Sequence, residues 1–292
     1  MNDRRRTAAV TGASGYLGSR LCTTLEARGW HVLRLVRSPD RVDPGARAYE
    51  IGAPIGAGLL ESVDLLVHAA YDFSLTRRSD IWRVNVEGTR RLLAAAREAG
   101  VGRILVLSTM SAYTGTSQLY GQAKLAIEEA TAAVGGCAVR PGLVYSSEPA
   151  GMAGALQKVG RLPVVPLVAG DARQHPVHLD DLMAAIGTLA EAESLPATPI
   201  GIANPRSVSF REVMVALAAQ EGRRPRFVPF PWRLLYWALR AGELLPVRLP
   251  FRADSLLGLV RPAPSVPGAD EAARLGIGYR AFDLHPDERA TT

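Results

Sequence analysis

The stretch Val10-Thr11-Gly12-Ala13-Ser14-Gly15-Tyr16-Leu17-Gly18 constrains the fold more than any other part of the chain. Apolar Ala8, Ala9 and Val10 end a strand, and Tyr16, Leu17, Leu21 and Leu25 then recur at helical spacing to about residue 28. Gly12 permits a tight turn and Gly15 lets the backbone approach a pyrophosphate. Gly18 allows the helix to pack closely on the sheet, with the helix N-terminus turned toward the anion. Ser14, Tyr16 and Leu17 stand between these glycines and complete the candidate contact set. A glycine triplet alone would carry little weight in a chain with 28 glycines. Here a second apolar strand, predicted over residues 31–36, follows Gly29, so the triplet lies inside a β-α-β unit and predicts a dinucleotide site.

With 292 residues and 48% hydrophobic content, the chain can bury a large core. The expected fold class is α/β, a doubly wound parallel Rossmann sheet with a smaller, mostly helical C-terminal substrate lobe. Residues 1–203 are assigned to the sheet domain, with 146–175 contributing to the lobe, and residues 204–292 to the lobe itself. The net charge of +6 would suit a nucleic-acid partner, but the 34 basic and 28 acidic residues are interspersed and aromatics are only 6%, so none is expected. Cys22 and Cys137 lack metal-ligand spacing and read as buried thiols of a reducing compartment; no metal site is expected. No export signal is read from the N-terminus, and a cytoplasmic location is expected.

Along the chain, Val36 stands where NAD-binding sites of this type carry an acidic residue for the ribose 2′-hydroxyl, and Arg37 follows it. A guanidinium there can meet a 2′-phosphate, so NADP(H) is favoured over NAD(H). Strands are predicted over 46–51 and 64–68. Small Ala69 and Ala70 follow the second and let a cofactor lie against the strand ends, with His68, Tyr71 and Phe73 beside it. A helix over 80–99 carries Asn85 in its core-facing stripe. A polar amide there needs partners, and it either ties loops together or holds water near the active site. The strand over 103–107 opens into Ser108-Thr109-Met110-Ser111, a hydroxyl cluster at a carboxyl end.

Tyr120 and Lys124, four apart on a predicted helix, project from one face. Lys124 and Lys158 are the only lysines, and chance would give about 0.05 such pairs in a chain with 8 tyrosines. A free phenol titrates near pH ~10, and an adjacent ammonium lowers that value, which suits Tyr120 to acid–base work.

Together these residues resemble the short-chain dehydrogenase/reductase superfamily, in its extended or atypical branch, over most of the chain. Further matching segments are His68-Ala69-Ala70, Asn85-Val86-Glu87-Gly88-Thr89, Arg140-Pro141-Gly142-Leu143-Val144-Tyr145 and Pro176-Val177-His178-Leu179-Asp180-Asp181. The resemblance implies that Tyr120 is the acid/base and that Lys124 binds the nicotinamide ribose and tunes it. It implies that Thr109 polarises the substrate oxygen, with Ser111 the next candidate and Asn85 in support, and it adds Pro141 and Val144 to the cofactor contacts. Leu143 and Gln174 replace an asparagine and an arginine that many nucleotide-sugar enzymes of the family carry, and Arg173 is out of register. The Arg-Leu-Val-Arg-Ser-Pro stretch from Arg34 is similar to dihydroflavonol-reductase-like and 3β-hydroxysteroid-dehydrogenase-like members, which act on apolar carbonyls or alcohols.

The function expected is hydride transfer between nicotinamide and a carbonyl or secondary alcohol of a small, largely apolar substrate. The alternatives are epimerisation or dehydration with transient hydride transfer, and a non-catalytic NADP sensor. Tyr71, Phe73, Leu143, His178 and Trp232 are the candidate substrate-lining residues. Short helices are predicted over 210–220, 232–245 and 252–259. The apolar 232–245 segment is too short and too charged to span a bilayer, and it leaves open core packing, a pocket, a homodimer face or peripheral membrane contact. The tail over 287–292 is expected to be disordered.

Overall fold

The computed structural model describes residues 5–39, 42, 45–197, 199–243 and 251–282; the tail over 287–292 and Leu244 and Leu245 lie outside them. β1 (Thr7–Thr11), α1 (Tyr16–Ala27) and β2 (His31–Val36) form the anticipated β-α-β unit. β3 (Arg47–Ala48) follows, then β4 (Leu65–His68) and a helical arm in which α2 (Arg78–Ile81) passes through a π-helical turn (Trp82–Val86) into α3 (Glu87–Glu98). β5 (Arg103–Leu107), α4 (Leu119–Ala133), β6 (Cys137–Pro141) and, much later, β11 (Ile200–Ile202) complete a seven-stranded sheet. Its order, β11-β6-β5-β4-β1-β2-β3, is parallel at every pairing, a doubly wound Rossmann arrangement. The order reverses between β1 and β4. Ligands of open α/β sheets gather at the strand carboxyl ends at such a reversal.

Because every strand but the edge is covered on both faces, the strands read as apolar runs rather than alternations. Leu21, Cys22 and Leu25 of α1 and Leu182, Ile186 and Leu189 of α6 (Leu179–Glu191) fill one face. Leu92, Leu93 and Ala96 of α3 and Ala123 and Ile127 of α4 fill the other. β3 is shorter than the strand expected over 46–51. It pairs with β2 at only two positions, and Tyr49 adds one further backbone bond to Val36 before the chain turns away.

The lobe grows out of the chain after β6. β7 (Leu143–Tyr145), α5 (Gly151–Gly160), β8 (Val164–Leu167), β9 (Arg173–Gln174) and β10 (Pro176–His178) precede α6. β12 (Val208–Ser209), α7 (Phe210–Ala219), β13 (Arg226–Pro229), α8 (Trp232–Gly242), α9 (Ala253–Val260) and α10 (Ala269–Arg274) follow β11. A separate core joins Tyr145, Leu156, Val165 and Leu167 to Phe210, Val213, Leu217, Leu256 and Leu259. Ala272 and Ile277 instead return to the sheet's own core. The two cysteines are free and buried.

Candidate active site

The glycine turn leaves the start of α1 open to an anion. Gly12 adopts φ +66, and a side chain there would press on the backbone of Ala69 and Ala70 at 3.0–3.1 Å, so only glycine lets β1 and β4 carry their loops past each other. A side chain at Gly18 would lie 2.0 Å from the Gly12 carbonyl oxygen, which is why α1 can begin directly beneath the turn. Gly15, at the N-cap, is exposed, and the first turn of α1 has neither a capping side chain nor an acidic residue. Its unpaired amides at Tyr16, Leu17 and Gly18, with exposed Ser14 beside them, suit a diphosphate by hydrogen bonding and by the helix dipole. Tyr16 packs on the core and pairs its hydroxyl with Ser146 at 3.0 Å. Arg37 is exposed at the carboxyl end of β2.

His68 is fixed by proton counting. The Thr11 hydroxyl accepts the amides of Ala69 and Ala70, both at 3.1 Å, so its own proton goes to His68 Nδ1 at 2.7 Å. Nε2 then carries the ring proton and donates to Thr89 Oγ1 at 2.9 Å, whose proton is given to the Asn85 carbonyl at 2.7 Å. Burial, aided by the Lys124 charge, pushes this histidine down to about 3, and it stays neutral as a structural tie. Asn85, fully buried in the π-helical turn, accepts the Asp72 amide at 2.7 Å and donates to the Asp72 carbonyl at 3.2 Å. These two bonds tie the Asp72 loop to the helical arm.

Tyr120 and Lys124 stand on one face of α4, beside the carboxyl end of β5. Lys124, buried, donates from Nζ to the Leu107 carbonyl at 2.6 Å and lies 4.8 Å from the centre of the Tyr71 ring and 5.8 Å from that of Tyr120. Burial lowers its ammonium to about 8 despite the opposing pull of Glu128, one turn further along the helix. The phenol departs from the expected direction: burial raises Tyr120, and the only offset comes from the Thr109 hydroxyl, close enough to favour the ionised form. Spacing along a helix shows that an ammonium is near, but not how much water both groups have lost. Thr109 also accepts the Ser111 amide at 3.2 Å, whereas Ser111 Oγ lies against Gly258 of α9.

Tyr71 meets Tyr120 edge to face at 5.1 Å, and Phe73, 63% exposed, lies 4.8 Å from Tyr71 and 5.6 Å from Tyr120. This aromatic wall is held from the lobe: Arg252 donates to the carbonyls of Phe73 at 2.7 Å and Leu75 at 3.0 Å. The lobe also caps the helix that bears Tyr120. Asp254 accepts the amides of Leu119 at 2.8 Å and Tyr120 at 3.1 Å, and its own carbonyl accepts Gln118 Nε2 at 2.9 Å. Beneath Lys124, Arg140 grips Glu128 through two bonds of 2.8 and 2.6 Å, and Ser108 donates to the same carboxylate. Neither Asp254 nor Glu128 was picked out from sequence. The i, i+4, i+8 register of Tyr120, Lys124 and Glu128 was the one signal available for the latter.

The model of the NAD dependent epimerase/dehydratase family matches residues 8–201, two thirds of the chain. The chain belongs to that family. It is an NAD(P)-dependent enzyme of the extended short-chain dehydrogenase/reductase type. Among relatives, it is 28% identical over 239 residues to a ceramide reductase of Caulobacter vibrioides, covering 78% of this chain and 75% of the relative. It is 39% identical over 112 residues to the 4-hydroxy-2-methyl-3-oxo-4-farnesyl-3,4-dihydroquinoline-1-oxide ketoreductase of Stigmatella aurantiaca, covering 34% of this chain and 32% of the relative. Its fold is similar to that of MoeE5 in complex with UDP-glucuronic acid and NAD, with a TM-score of 0.71, 22% identity and 94% of both chains covered.

The remaining predicted positions lie toward the lobe. Pro141 ends β6, and Leu143 and Val144 lie on β7 between the two cores. His178 packs edge to face on Tyr145 at 5.1 Å and caps α6 by accepting the Asp180 amide at 3.2 Å. Trp232 belongs to the lobe core, with the Arg261 guanidinium 5.5 Å above its ring. Gln174 is buried and donates to the Leu259 carbonyl at 2.9 Å, while Arg173 is committed to Ser207. No helix among the described residues is long and apolar enough to cross a membrane.

Proposed function

We propose that this enzyme is a reductase that converts an apolar ketone to a secondary alcohol, with NADPH as the preferred donor. The observation that carries the reading is the grouping of Tyr120, Lys124 and Thr109 beneath the aromatic wall of Tyr71 and Phe73. The Gly12–Gly18 turn would hold the dinucleotide, which when bound would supply the hydride. Tyr120 donates a proton to the substrate oxygen, and a phenol raised by burial stands in the neutral form that this step needs. Thr109 orients that oxygen. Lys124, held by the Leu107 carbonyl, supplies positive charge beside the phenol and a donor toward the cofactor ribose. Asn85 and His68 act only through the loops they fix. Ser111, facing α9, is assigned no proton-transfer role.

The aromatic wall supports the substrate class. Tyr71 and Phe73 present apolar surfaces beside Tyr120, and Leu143 and Gln174 deny a nucleoside diphosphate the polar partners of many nucleotide-sugar enzymes. The relatives named as a ceramide reductase and a farnesyl-bearing ketoreductase support the same class. Arg37, exposed at the end of β2 where Val36 replaces the acid of many NAD sites, supports the 2′-phosphate of NADP. Tyr120→Phe tests the proton donor: NADPH binding persists while turnover of an apolar ketone falls roughly 10²–10⁴-fold. Turnover at the wild-type rate would overturn the reading.

A further inference from the structure

Residues 222–242 contain five arginines, Arg223, Arg224, Arg226, Arg233 and Arg240, and no aspartate or glutamate. Apolar side chains are interleaved with them on the outside of the molecule. Leu234 is 61% exposed and Trp237 68%, and no residue of α8 is buried. Trp232, Leu235, Tyr236 and Leu239 turn toward the lobe core, so Leu234, Trp237 and Ala238 are left outward beside Arg233. The preceding ribbon has the same character. Val165, Leu167 and Phe227 pack inward, which sets Val164 and Pro166 of β8 and Arg226 and Val228 of β13 on the outer side, and Phe230 continues the exposed run into α8.

We propose that this face docks on an anionic lipid bilayer. Leu234 and Trp237 enter the boundary between headgroups and acyl chains, where a tryptophan is favoured, and the arginines pair with lipid phosphates. Charge decides the occupant. Arg240 is shared with Glu243 at 3.2 Å and Arg223 acts on Glu221, but Arg224, Arg226 and Arg233 are exposed on a segment with no acid of its own. A second copy of the chain, docked by two-fold symmetry, would set this positive face against itself. An anionic surface neutralises it. The inference does not depend on the activity proposed above.

The test is sedimentation of the full chain with vesicles of phosphatidylcholine alone and of phosphatidylcholine with about 30 mol% phosphatidylglycerol, at low and high salt. The wild type is expected to pellet with the anionic vesicles, less at high salt and weakly with neutral ones. Leu234→Ser with Trp237→Ser lowers binding roughly tenfold or more. Arg226→Gln with Arg233→Gln removes the preference for anionic lipid. Val215→Ser, at an exposed apolar position of α7, leaves binding unchanged and serves as the control. All these positions are exposed, so the fold is retained, and circular dichroism verifies it. Absence of pelleting with anionic vesicles, equal binding to both lipids, or unchanged binding by the Leu234/Trp237 variant would each overturn the proposal. So would a dimer in solution that this variant dissociates while vesicles remain unbound.

Discussion

Removing the Asp254 carboxylate tests whether the lobe holds the helix that bears Tyr120 in place. α4 has no capping side chain of its own, and its first amides are satisfied by a residue 134 positions away from Tyr120. Asp254→Ala leaves the Leu119 and Tyr120 amides without that partner. Loss of an N-cap costs about 0.5–2 kcal/mol, and hydrogen bonds to a charged acceptor contribute about 1.5–3 kcal/mol. Against this, burial holds the Asp254 carboxyl above its usual range, so the alanine also relieves part of the cost of keeping a charge out of water. The net expectation is a loss of roughly 1–3 kcal/mol, read as a lower midpoint in urea unfolding at an unchanged slope. Asp254→Asn keeps one acceptor oxygen but turns an amide NH2 toward the second backbone N–H, so its stability should fall between that of the wild type and that of Asp254→Ala. Because Tyr120 sits in the turn that is freed, Asp254→Ala should lower kcat while KM for the dinucleotide, bound at the far glycine turn, changes little. If Asp254→Ala unfolds at the wild-type midpoint and retains full kcat, the capping account is wrong.

Other outcomes follow from the same geometry. Reduction should decline above an apparent pKa near 8 as Lys124 loses its proton, since the phenol remains neutral well above that point; a profile flat to pH ~10 would contradict this. At pH ~7 the folded state carries Lys124 charged at a cost, because its folded pKa lies below its unfolded one. Stability on this account rises between pH ~8 and ~10.5, and urea midpoints across that window check the sign. Arg37→Glu should reverse the preference for NADPH over NADH, lowering kcat/KM for NADPH by roughly tenfold or more without harming NADH. Gly18→Ala puts a carbon 2.0 Å from the Gly12 carbonyl oxygen and should both destabilise the fold and abolish dinucleotide binding, measured by thermal shift.

What the sequence made legible was local. Gly12 and Gly18 declare themselves because a tight turn and a close helix each demand glycine at a fixed interval, and the strand and helix around them follow hydrophobic period. Tyr120 and Lys124 were readable for a similar reason, since a helix face is a local object and lysine is rare here. The hidden parts depend on distant segments meeting. Nothing near α4 announces that Asp254 and Arg252 brace it and the Phe73 loop, and nothing near Glu128 announces Arg140. The β8–β13 ribbon escaped notice because Pro166 and Pro229 break the pattern that marks a strand. The direction of the Tyr120 shift was missed because spacing reports neighbours, whereas desolvation reports everything packed around them.

The central claim is net reduction by proton donation from Tyr120 with hydride from the nicotinamide. Incubating the enzyme with an apolar ketone and NADPH deuterated at nicotinamide C4, with each face labelled in turn, tests it most directly. One label should appear in the carbinol product with equimolar oxidised cofactor, and Tyr120→Phe should suppress both together. A substrate epimerised or dehydrated with no net oxidation of cofactor and no deuterium in the product would contradict the account.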